Sequence, residues 1–118
     1  MEPKQANLCF HYSEALKSNL FLASSSLQRL TSLKGEKLEG GREVNRAVFE
    51  ALRSELGIAR RHLPPKEIDQ LERKLFEVEG EIELHNYGRA QESLGQAFSQ
   101  VTTLSNQYLQ ILIKEGLF

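Results

Sequence analysis

Apolar residues return every three or four positions through most of the chain. Cys9, Leu16, Leu20, Ala23, Leu27 and Leu30 keep this spacing first, and Val44, Val48, Ala51, Leu52, Ile58 and Ala59 form a broader second set. Ile68, Leu71, Leu75, Val78 and Ile82 follow without a gap, and Tyr87, Ala90, Leu94, Ala97, Val101, Leu104, Tyr108 and Ile111 close the series. A three-four spacing lines side chains along one side of an α-helix. The period of two that marks a half-buried strand is nowhere convincing.

Helix-breaking chemistry is concentrated in three places: GEKLEGG (residues 35–41), Pro64-Pro65, and HNYG (residues 85–88). Glycine closes helices because it accepts a left-handed backbone, and proline is tolerated best in a first turn. These breaks predict helices over 8–34, 42–62, 65–85 and 87–115. Short connections make sequential helices antiparallel neighbours. The expected fold is therefore all-α, an up-down-up-down antiparallel four-helix bundle in a single domain over 1–118. A three-helix arrangement with one bent long helix is the competing architecture.

Composition narrows the picture. A chain of 118 residues with 26% charged side chains can bury one core. A formal net charge of −1 supplies no basic field for nucleic acid or an anionic membrane. The lone Cys9 has no partner for an internal disulfide and fits a reducing compartment. The first ten residues lack the basic and apolar blocks of a signal peptide. The expectation is a cytoplasmic protein with no membrane span and no cofactor.

Motifs with chemistry are sparse. LTSLKGEKLEGG, residues 30–41, resembles the H-x-L-K-G stretch of histidine phosphotransfer domains at Leu33, Lys34, Gly35 and Gly41. Thr31 stands where that family has its phosphate-accepting histidine, so the resemblance implies no phosphotransfer. Lys34 and Gly35 read instead as a basic last turn and its closing glycine. His11 and Glu14, with His62 from the end of the second helix, form a candidate metal site at one end of the bundle. His85 follows Ile82 and reads as a plug beside the last turn. Nucleophile elbows and phosphate-binding loops are absent.

Charge is unevenly divided. Arg42, Arg46, Arg53 and Arg60 fall within about 40° on a helical wheel, which offers a candidate phosphate-contact stripe opposite the apolar set of the second helix. The third helix carries Glu67, Asp69, Glu72, Glu77, Glu79, Glu81 and Glu83, an acidic neighbour that pairs with such a stripe and repels a nucleic-acid backbone. A nucleic-acid partner is not expected.

The fourth helix is different. Between Glu92 and Lys114 lie 21 residues without an ionised side chain, and Lys17 to Arg29 in the first helix is equally bare. Ten of the 21 are Ser, Thr, Asn or Gln, too polar for lipid. They carry a second stripe, Gly95, Phe98, Thr102, Asn106, Leu109 and Ile113, about 100° from the first. Phe10 and Phe21 lie off the core set of the first helix. Charge depletion with retained aromatics marks the centre of an interface. The sequence therefore predicts a non-catalytic helical interaction module, an adaptor, small chaperone or complex subunit, homodimeric through its first and last helices. Another protein on the same face, or a small metal- or nucleic-acid-binding bundle, is the alternative.

Overall fold

The computed structural model describes residues 1–117. They form four helices and no strand: α1 (Pro3–Leu30), α2 (Glu36–Ala59), α3 (Pro65–Glu83) and α4 (Tyr87–Lys114). The fold is an all-α four-helix bundle, drawn out to 54 × 23 × 20 Å. Helix α1 packs on α2 and α4, and α4 packs on α3, while α2 and α3 approach each other least.

Polar bonds between helices fix the directions. Gln91 Nε2 donates to Ser24 Oγ at 2.9 Å, and Ser105 Oγ donates to Glu14 Oε2 at 2.6 Å, so numbers fall along α1 as they rise along α4. Asn45 with Ser26, and the Cys9 thiol with the His62 carbonyl, give α1 and α2 the same relation. Arg42 with Glu83 and Arg60 with Asp69 repeat it for α2 and α3, and Lys74 with Gln96 and Glu67 with Gln100 for α3 and α4.

The core is the apolar stripe of each helix turned inward. Leu16, Leu27, Leu52, Ile68, Leu71, Leu94 and Val101 are each at most 1% exposed. Full burial of one such side chain stabilises by about 1.5–3 kcal/mol. Helices α1 and α4 also bury small residues, Ala6, Ser13 and Ala23 against Ala90, Ser93, Ala97 and Ser105, which lets the two backbones lie close. Ser13 satisfies its own hydroxyl by donating to the Phe10 carbonyl.

Two expectations need correction. The first break is residues 31–35 rather than GEKLEGG, and α1 already starts at Pro3, not at 8. Helix α1 ends at Leu30, where the Thr31 and Ser32 hydroxyls donate to the carbonyls of Gln28 and Arg29. Gly35 takes φ 61°, and α2 starts at Glu36 rather than at 42. Glu36 and Glu39 in its first turn suit the positive end of the helix dipole. Gly41 lies within this helix, where a Cβ would come 2.6 Å from Leu33 Cδ1 and would have to displace that side chain. The buried face of α2 also differs from the predicted one. Phe49, Leu52, Leu56 and Ala59 point inward with Arg42 and Asn45, whereas Val44 and Ile58 are 62% and 48% exposed.

Helices α3 and α4 begin at Pro65 and Tyr87, matching the predicted starts. Both end in the same backbone motif. The amide of Asn86 donates to the Glu81 carbonyl and that of His85 to Ile82; the amide of Leu117 donates to Leu112 and that of Gly116 to Ile113. The left-handed position is Gly116 in α4, φ 74°, and His85 in α3, φ 60°. A side chain there costs on the order of 1–2 kcal/mol relative to glycine.

Candidate functional site

The second stripe of α4 lies along the α1 flank. Phe98, Thr102 and Leu109 are half-buried at the seam, and Gly95, Asn106 and Ile113 are exposed. Phe10 is half-buried and packs on the core from the same side of α1. Thr102 turns its hydroxyl back to the Phe98 carbonyl at 2.9 Å. Phe21 is 63% exposed and Leu22 58%. With Lys17, Ser18 and Phe98 they line an open, largely apolar groove of ≈ 440 Å³. Of the eight residues singled out from sequence, Phe21 and Phe98 share this groove. Leu22, which the spacing argument passed over, completes it.

At the head of the groove stands a small charged cluster. Lys17 Nζ lies 2.8 Å from Glu14 Oε2, which also accepts from Ser105. Lys17 and Ser105 together hold the Glu14 carboxyl below the ordinary glutamate range.

The arginine stripe is placed quite differently from an open phosphate track. It faces α3, and each of its four members has a carboxylate partner. Arg42 reaches Glu83 at 3.1 Å, Arg46 reaches Glu83 at 3.5 Å, Arg53 reaches Glu79, and Arg60 reaches Asp69 at 2.9 Å as well as Glu72. Arg42 is only 9% exposed and lies on the core side, not opposite it. Its Nη1 also meets His85 Nε2 at 3.0 Å. A guanidinium has no acceptor, so Nε2 accepts and Nδ1 carries the ring proton. Nδ1 then donates to Tyr87 Oη at 3.2 Å. His85 is thus exposed and bonded on both nitrogens, a clasp between α2 and the α3–α4 turn rather than a plug in the apolar stripe.

The metal candidates are not assembled. His11 is exposed, and its ring meets Tyr12 edge-on; His62 stacks on Tyr12 with ring centroids 4.5 Å apart. Glu14 is turned toward α4. Among the described residues no group of three or more His, Cys, Asp or Glu side chains is placed to hold a metal ion. Cys9 is fully buried, with its thiol donating to the His62 carbonyl at 3.1 Å. Burial pushes this thiol above its ordinary range, and pushes the neighbouring Tyr108 hydroxyl up as well. Both changes suppress the anionic, nucleophilic form.

One exposed feature was not anticipated. Phe76 is 80% exposed on α3 and overhangs the cleft between α2 and α3, where Arg53, Arg73, Glu72 and Glu79 surround it. It falls one position after Leu75 on the buried stripe, so only its being off the apolar spacing gives it away.

No described helix is long and apolar enough to cross a membrane. The chain matches no protein-family model, no curated protein and no solved structure.

Proposed function

We propose that this chain is a non-catalytic helical protein-interaction module, an adaptor, small chaperone or complex subunit, and that it works as a homodimer through the outer faces of α1 and α4. The observation that supports this reading most is the groove at Phe21, Leu22 and Phe98. Two large apolar side chains stand more than half exposed there, beside a helix with no ionised residue between Glu92 and Lys114. A large exposed apolar patch in a charge-poor setting is the signature of a protein contact.

Extent supports it further. The chain exposes 7320 Å², above the roughly 6,500 Å² that mass scaling gives for a compact 13.4 kDa monomer, and its drawn-out shape leaves the long outer faces of α1 and α4 room for a standard interface of about 800 Å² per partner. Light scattering at low micromolar concentration tests the reading. A species of twice 13.4 kDa is expected, and a 13.4 kDa species overturns the dimer. Leu109→Glu places a charge in the seam and is expected to dissociate it. Phe21→Glu, at a site already 63% exposed, makes the same test without loading the core. An unchanged mass in both folded variants overturns the assignment to this face.

A further inference from the structure

The same face carries a pattern that specifies how two copies meet. Along α1, Phe10, Glu14, Lys17 and Phe21 follow one another at spacings of four, three and four residues. At 100° per residue they lie within about 60° of one another, on the α4 flank of the helix. Read from either end the order is aromatic, charge, charge, aromatic, with the sign of the charges reversed. Such an arrangement is complementary to itself when a second copy is turned end for end.

Glu14 and Lys17 are isolated charges. Helix α4 brings none to this face, and α1 has none between Lys17 and Arg29. Their side chains remain 40% and 30% exposed, although they are already bonded to each other. We infer, resting on the dimer proposed above, that two copies pack with α1 antiparallel to α1 of the second copy, the two-fold axis passing between Glu14 and Lys17. In this register Glu14 of each copy faces Lys17 of the other, and the four groups form a ring of alternating charge. Phe21 of each copy lies toward Phe10 of the other. A parallel pairing sets Glu14 on Glu14 and Lys17 on Lys17. A shift of one turn in the antiparallel pairing removes the match of opposite charges. The pair selects partner, direction and register together, as interface charges do elsewhere.

Charge reversal tests this. Glu14→Lys and Lys17→Glu are each expected to weaken self-association at least tenfold. Mixing the two variants is expected to restore a heterodimer, because both contacts between the copies, 14 to 17 and 17 to 14, are then between opposite charges, although the pair within each copy is of like charge. The double variant Glu14→Lys/Lys17→Glu is expected to restore the homodimer. Wild-type protein gives a measurement that needs no variant: its Kd is expected to rise severalfold between low salt and 1 M NaCl, as screening requires. A wild-type dimer whose Kd ignores salt, or single variants that stay dimeric and pair no better when mixed, overturn the register and leave the dimer standing. A wild-type monomer overturns both.

Discussion

The two long flanks of this bundle are joined by different chemistry. On the α1–α4 flank the contact is close, built on small buried residues such as Ala23, Ala97 and Ser105, with short polar bonds from Gln91 to Ser24 and from Ser105 to Glu14. On the α2–α3 flank the helices stand apart. Arginines 46, 53 and 60 span the distance to four carboxylates, of which Glu83, Asp69 and Glu72 are more than half exposed, and Phe76 overhangs the cleft. Burial does not depend on ionic strength, whereas exposed ion pairs contribute about 0–1 kcal/mol each and are screened by salt. The difference teaches that a dense row of ion pairs is not a sign of the stronger seam. Here it covers the weaker one.

That contrast can be broken experimentally. Leu94→Ala on α4, at a site 1% exposed, is expected to destabilise by about 2–5 kcal/mol in urea denaturation, since the site cannot collapse between two close helices. A loss below 1 kcal/mol would mean that the α1–α4 seam is not tightly packed. Arg53→Ala and Arg60→Ala on the other flank are each expected to cost no more than about 1 kcal/mol. Their effects should shrink further in 1 M NaCl, and a loss that salt leaves unchanged would assign these side chains a packing role.

The smallest effect belongs to Glu14. Its carboxyl is held below the ordinary glutamate value by Lys17 and Ser105. A lowered folded pKa stabilises above the unfolded value, and that contribution disappears as pH falls through the lowered folded value. Wild-type protein is therefore expected to exceed Glu14→Gln in stability at pH 6, with the difference vanishing in acid. Parallel denaturation curves from pH 6 to pH 3 at fixed protein concentration decide it. A difference that persists in acid would come from the shape of the side chain, not its charge.

The α3 and α4 boundaries were legible because Pro65 starts one helix and the apolar stripes run without interruption. The start of α2 was not, because Gly40 and Gly41 count as breakers in any local reading. The packing of Leu30 and Leu33 over Gly41 is a contact that no local reading contains. The buried face of α2 was hidden for another reason. Val44, Ala51 and Ile58 repeat at heptad spacing, as do Phe49 and Leu56, so the helix carries two apolar rows. Which row faces inward depends on where α1 and α3 lie, and periodicity holds no information about that. The same limit applies to the arginines: the wheel grouped them correctly but could not show that α3 meets them. On α4 the second stripe was visible in sequence, and the structure divides it between the α1 seam and the surface.

The ends of α3 and α4 share one backbone motif but are held in it by different means. Gly116 closes α4 from within its own backbone, whereas His85 takes the same strained conformation while its ring is held by Arg42 and Tyr87. One of those two holders comes from α2, more than forty residues earlier in the chain. The turn between the third and fourth helices is thus a conditional joint. Its shape belongs to the assembled bundle, and a hairpin of α3 and α4 severed from α2 would lose one of the two contacts that hold it.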